Sequence, residues 1–141
     1  MTTSSVRPTG ATAVLLAGQA PSVTSATGGR LDVSTHLKNP GFNPLDLLYA
    51  SLASCIVLSA RMAAHSLGVL DRVHGVTAKV TGSKAAEAPS RVEHFHVEVA
   101  IDGDIDAATR QKIVDAAEGE ICTVSNTLRG NPSIHAVLLD A

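Results

Sequence analysis

Two cysteines, Cys55 and Cys122, are the only thiols in this 141-residue chain. Peroxide reduction needs one thiolate to attack oxygen, giving a sulfenic acid, and a second thiol to trap that acid as a disulfide. A disulfide framework or a zinc site would need more sulfur at closer spacing. Cys122 lies in the stretch Ile121 to Asn131, just after one expected helix and near the start of a short one. Amide donors at a helix start favour a thiolate. Cys55 lies mid-way along an apolar stretch, where a packing role competes. Free cysteine packs as a small hydrophobe, and Ala50, Ser51, Ala53 and Ser54 would let another helix approach closely. Cys55 alone favours packing; the two cysteines together, each on or beside a helix, suit a peroxidatic and resolving pair. Sequence spacing by itself does not bring the two sulfurs together.

Other reactive side chains carry less. His94 and His96 flank Phe95 on one face of an expected strand. A pair at that spacing can bind metal, but with no third ligand an exposed or packed strand face is favoured, and no metal or cofactor is expected. His65, near a helix end, suits the helix dipole. Ser125 and Asn126 read as caps or lining of the Cys122 turn, and Arg129-Gly130-Asn131 as a turn into a last strand.

The elements that must position these residues follow from pattern. Residues 1–10 are expected to be a flexible N-terminus and residues 11–141 one domain. Ala11 to Ala17, Ser22 to Thr27 and the alternating run Leu31 to Leu37 predict an N-terminal antiparallel meander, with Gly28-Gly29 as a turn. Asn43-Pro44 opens a helix, with Asn43 as N-cap and Pro44 in the first helical position. The helix should run to about Leu67 and stop at Gly68. It is apolar on most sides from Leu47 to Arg61, which predicts a buried central helix. Val73 to Thr81 and Arg91 to Ile101 predict a hairpin. A helix over Asp106 to Gly119, a short helix after Cys122 and a strand over Ser133 to Leu139 complete an α+β fold with antiparallel sheets around the central helix.

Composition excludes some partners. Apolar residues are 45 % and charged residues 17 % of the chain, enough for a core and against disorder. The net charge of −2, the scattered basic residues and only three aromatic rings (Phe42, Tyr49, Phe95) give no reason to expect nucleic acid. The apolar run Leu47 to Ala60 is shorter than the roughly 20 residues that span a bilayer, and Met1 to Gly10 has no apolar signal-like core. A soluble cytoplasmic protein with reduced thiols is the expectation.

Two segments carry a family resemblance. Asn43-Pro44, Leu47, Ala50, Ala53 and Cys55 resemble the Asn-Pro-x-x-Leu-x-x-Ala-x-x-Ala-x-Cys helix of the OsmC/Ohr family of osmotically inducible and organic hydroperoxide resistance proteins. Cys122, Ser125-Asn126 and Arg129-Gly130-Asn131 are similar to its Cys-Pro-x-Ser-Asn-x-x-Arg-Gly-Asn element, and Leu31-Asp32-Val33 to the start of its third strand. The resemblance implies an intertwined homodimer and a thiol peroxidase for organic hydroperoxides. It further implies a dithiol reductant, such as a lipoylated protein, with Cys55 peroxidatic and Cys122 resolving. The family also sets an arginine and a glutamate beside its reactive cysteine. Here the glutamate region offers only Leu45 and Asp46. Asp46 also fits a capping box with Asn43 and falls opposite Cys55 on an ideal helix, so the cap is favoured over a catalytic role. The arginine position falls near Gln19 or Ala20, leaving Arg30, and less so Arg7, as candidates. Thr123 stands where the family has proline. The alternative to the enzyme is a descendant that binds a small hydrophobic ligand at a dimer interface.

Overall fold

The computed structural model describes residues 6–140, so the first half of the expected flexible N-terminus lies outside the described residues. The chain forms two compact units, residues 1–48 and 49–141.

In the first unit, β1 (Ala11–Val14), β2 (Ser22–Ser25) and β3 (Arg30–Asp32) make an antiparallel meander in chain order. Thr12 pairs with Thr24 and Val23 with Leu31. Gly28 turns the β2–β3 hairpin at φ 97°, a conformation glycine adopts without a Cβ penalty. The third strand is shorter than the alternation from Leu31 to Leu37 predicts. After Asp32 the backbone leaves β2: Val33 bridges Phe42, Ser34 N–H donates to the Phe42 carbonyl at 2.9 Å, and Asn39 N–H closes a turn on His36. Leu37 is fully exposed. The Asn39-Pro40-Gly41 turn overrides the alternating pattern.

Helix α1 (Pro44–Ser66) begins and ends where its capping residues dictate. Asn43 Oδ1 accepts from Asp46 N–H at 2.8 Å, and Asp46 Oδ2 accepts from Asn43 N–H at 3.1 Å, a reciprocal capping box. Gly68, at φ 72°, terminates the helix by donating to the His65 carbonyl. Length and composition alone would let α1 cross a membrane, and only 33 % of that apolar window is buried, less than the central helix expected from the sequence. Leu52, Ile56, Ser59, Ala60, Ala63 and Ala64 form one buried stripe at three- and four-residue spacing. The burial is one-sided: Leu58 and Met62, on another face, are 61 % and 59 % exposed in the single chain.

In the second unit, β4 (Val73–Lys84) and β5 (Val92–Gly103) form a long hairpin, with Val80 opposite Val97 and Val76 opposite Ile101. Alternation puts its half-buried side chains on one face, as the sequence predicts. Helix α2 (Ala107–Ala116) is capped by Asp106, which accepts from Thr109 N–H at 2.7 Å. A π turn (Ala117–Ile121) follows, then α3 (Thr123–Arg129). One core gathers Ala60, Ala63, Ala64, Val69, Ile105, Ile113 and Ala117. A second gathers Leu52, Ile56 and Cys122, flanked by Cys55 and half-buried hairpin residues. The expected last strand, Ser133 to Leu139, is not formed: residues 131–140 have no strand pairing among the described residues. Ile134 and Leu138 are almost fully exposed. An alternating apolar segment becomes a strand only where another strand offers its hydrogen-bonding edge.

Candidate active site

Both cysteines belong to the second core. Helix α1 supplies Cys55 on the stripe that carries Leu52, Ile56 and Ser59; one turn on, Ser59 turns its hydroxyl toward the Cys55 sulfur. Cys122 stands at the N-cap of α3, fully buried, and its Sγ accepts from Ser125 N–H at 3.3 Å. The two thiols meet in one buried cluster, and each acts on the other's protonation. The structure therefore joins two residues that are distant in sequence.

Their environments push them apart. Burial raises the Cys55 thiol, but the Cys122 thiol, the Val124 backbone, the Ser59 hydroxyl and the Thr123 backbone all donate to its sulfur and together bring it below the ordinary value of 9.0. Burial also raises Cys122, and the Cys55 sulfur adds to that rise both as a hydrogen-bond acceptor and as a charge. The backbone donations of Ser125 and Val124 only partly offset this, so Cys122 stays above 9.0. Helix-start amides favour a thiolate, as the sequence suggests, but the benefit falls on Cys55 rather than on Cys122. Cys122 spends its lone pair capping α3 and keeps its proton.

A cavity of about 210 Å³ meets the cysteine cluster at Leu52, Phe95, Val97 and Leu128 and is lined also by Glu118, Ser125 and Arg129. Arg129 is ion-paired with Glu118 and donates to Ser125 Oγ at 2.8 Å, while Ser125 Oγ donates to Glu118 Oε1 at 3.0 Å. Sequence reasoning missed Glu118 and the ion pair of Arg129. Only the Ser125–Arg129 spacing of one helical turn hints at them, because the partner carboxylate, Glu118, comes from the π turn before α3. Ser125 and Asn126 line the Cys122 turn as expected, Asn126 donating to the Glu120 carbonyl at 3.1 Å. Gly130 and Asn131, at φ 48°, end α3 as a turn.

The remaining candidates are elsewhere. Asp46 is engaged in the α1 capping box. Arg30 opens β3 in the first unit, exposed, in a cavity of about 290 Å³ that Gln19 and Ala20 also line. Arg7 donates to Thr27 Oγ1 at 3.0 Å. His94 and His96 are exposed on β5, each 3.9 Å from a glutamate, Glu93 and Glu98. No group of three metal-ligating side chains occurs among the described residues.

Comparison with known proteins identifies the lineage. The family model described as OsmC-like protein matches residues 37–136, which include both cysteines. The chain belongs to the OsmC-like family. Solved structures agree with the fold of this OsmC-like chain. An OsmC-like protein from Mycoplasma pneumoniae superposes with a TM-score of 0.75 at 21 % identity, over 88 % of this chain and 89 % of that one. An organic hydroperoxide resistance protein OsmC from Legionella pneumophila matches with a TM-score of 0.65 at 25 % identity, over 90 % and 93 %. The organic hydroperoxide resistance protein OhrB of Bacillus subtilis matches with a TM-score of 0.67 at 23 % identity, over 89 % and 93 %. No curated protein matches the sequence significantly.

Proposed function

We propose that this OsmC-like chain is a two-cysteine peroxidase that reduces organic hydroperoxides to alcohols. The Cys55 thiolate attacks the terminal peroxide oxygen, the O–O bond breaks, and the alkoxide leaves and takes up a proton as the alcohol. Cys55 becomes a sulfenic acid. The Cys122 thiol then attacks that sulfur, forming the Cys55–Cys122 disulfide and releasing water. A dithiol, such as a lipoyl group, reduces the disulfide and is itself oxidised. One observation carries the reading: two thiols distant in sequence meet in one buried cluster, where the surroundings lower the Cys55 thiol and raise Cys122. The attack on peroxide needs the more acidic thiol, and the Cys122 proton can leave with the sulfenic hydroxyl as water when the disulfide forms. The printed names of the Legionella and Bacillus neighbours agree with this substrate class, and a homodimer and a cytoplasmic setting belong to the same proposal.

Arg30 is the candidate guanidinium for Cys55 on the family resemblance alone; in the first unit it opens β3 and lines a cavity with Gln19 and Ala20. Asp46 has a weaker claim, because its carboxylate is held by the cap. One observation favours the rival reading, a binder of small hydrophobic ligands: the groups acting most strongly on Cys55 are hydrogen-bond donors, with no cation among them. Thiol counting after one equivalent of cumene hydroperoxide separates the two. Loss of two thiols per chain with release of cumyl alcohol supports the peroxidase; thiols unchanged over many minutes leave the binder.

A further inference from the structure

The α3 turn that carries Cys122 is held from behind by side chains that never touch a sulfur. Arg129 reaches back along α3 and donates to Ser125 Oγ at 2.8 Å and to the Glu118 carbonyl at 3.3 Å, while pairing with the Glu118 carboxylate. Ser125 Oγ completes the ring by donating to Glu118 Oε1 at 3.0 Å. Ser125 is buried at 6 % exposure, and its own N–H is the donor that holds Cys122 Sγ. Residues 122–125 are thus tied at one end to the thiols and at the other to the π turn. A half-exposed ion pair adds little to stability, about 0–1 kcal/mol. Its ring-closed geometry, through Ser125 Oγ and the Glu118 carboxylate and carbonyl, instead restricts where the 122–125 backbone can lie.

We propose that Glu118, Ser125 and Arg129 form a positioning clamp that fixes residues 122–125 so that the Cys122 thiol and the Thr123 and Val124 amides stay aimed at the Cys55 sulfur. The hairpin packs Ala78, Val80, Phe95, Val97 and Val99, all apolar, on the cysteine cluster. From α1 the contributors are Leu52, Ile56 and the Ser59 hydroxyl. Among the groups that act most strongly on the two sulfurs the titratable ones are the thiols themselves, with Glu118 and Arg129 behind Ser125. The clamp deepens the peroxidase reading but is testable without peroxide.

The test is the pH profile of Cys55 alkylation by iodoacetamide, read by peptide mass, on the full chain and on Ser125→Ala, Arg129→Met and Arg129→Lys, with melting temperature measured alongside. In Ser125→Ala and Arg129→Met the alkylation midpoint moves to higher pH and the rate at neutral pH falls roughly tenfold, about the effect of one or two lost hydrogen bonds to a charged sulfur. Arg129→Lys recovers part of the rate, since one ammonium can reach Ser125 or Glu118 but not both as a fork. A wild-type midpoint in Ser125→Ala and Arg129→Met, or in whichever of them folds, overturns the clamp. If the two variants shift in this way while the wild type consumes no peroxide, the clamp stands and the peroxidase falls.

Discussion

Replacing Cys122 by alanine separates what this residue does to Cys55 from what it does to α3. Alanine removes a fully buried sulfur from the Leu52–Ile56 cluster and leaves Ser125 N–H without its cap. A one-atom void and a lost cap cost about 1 kcal/mol each, so urea unfolding should show a loss of about 2 kcal/mol. The same change removes the thiol that donates to Cys55. A net hydrogen bond of about 1 kcal/mol corresponds to a roughly fivefold drop in thiolate reactivity at neutral pH. Cys122→Ser keeps both a donor and an acceptor, so it should hold Cys55 reactivity within about twofold while abolishing disulfide formation. Stopped-flow alkylation of the two variants makes the comparison. A Cys55 that reacts as fast or faster in Cys122→Ala than in wild type would refute the inferred donation.

Three further outcomes follow from the same geometry. Because folding lowers the Cys55 thiol, its stabilising contribution is present above 9.0 and is lost as pH falls through the folded value. The raised Cys122 has the opposite sign, its contribution being whole below 9.0 and lost as pH rises through its own folded value. The urea-midpoint gap between wild type and Cys55→Ala should therefore widen as pH rises toward 9.0, and a flat gap would contradict the assignment. Ile113→Ala, at a fully buried position in the other core, should cost about 3 kcal/mol by chemical denaturation. Arg30→Gln should slow Cys55 alkylation about tenfold at neutral pH if its guanidinium favours the thiolate, whereas a wild-type rate would remove it from the machinery.

Much of the fold was legible because local chemistry and global packing agree. Asn43, Asp46 and Gly68 mark the ends of α1, and the β4–β5 hairpin shows its half-buried face as strict alternation. The readings failed where alternation lacked a partner. Leu31 to Leu37 alternates, but its backbone turns to Phe42, and Ser133 to Leu139 has no neighbouring edge within the described chain. At the site, the cysteine pair was legible by type and the electrostatics were not. Which sulfur receives the α3 amides depends on Cys122 being committed to Ser125 N–H, a three-dimensional fact. The pairing of Arg129 with Glu118 was invisible for the same reason, since a break between two helical segments separates them in sequence.

The central claim is that one peroxide molecule joins Cys55 to Cys122. Peptide mapping under non-reducing conditions, after one equivalent of an organic hydroperoxide, tests it directly. The account predicts a single linked species holding Cys55 and Cys122 from the same chain, with the protein lighter by two hydrogen atoms and restored by a dithiol. Recovery of both cysteines as free thiols, or oxidation confined to Cys122, would contradict it.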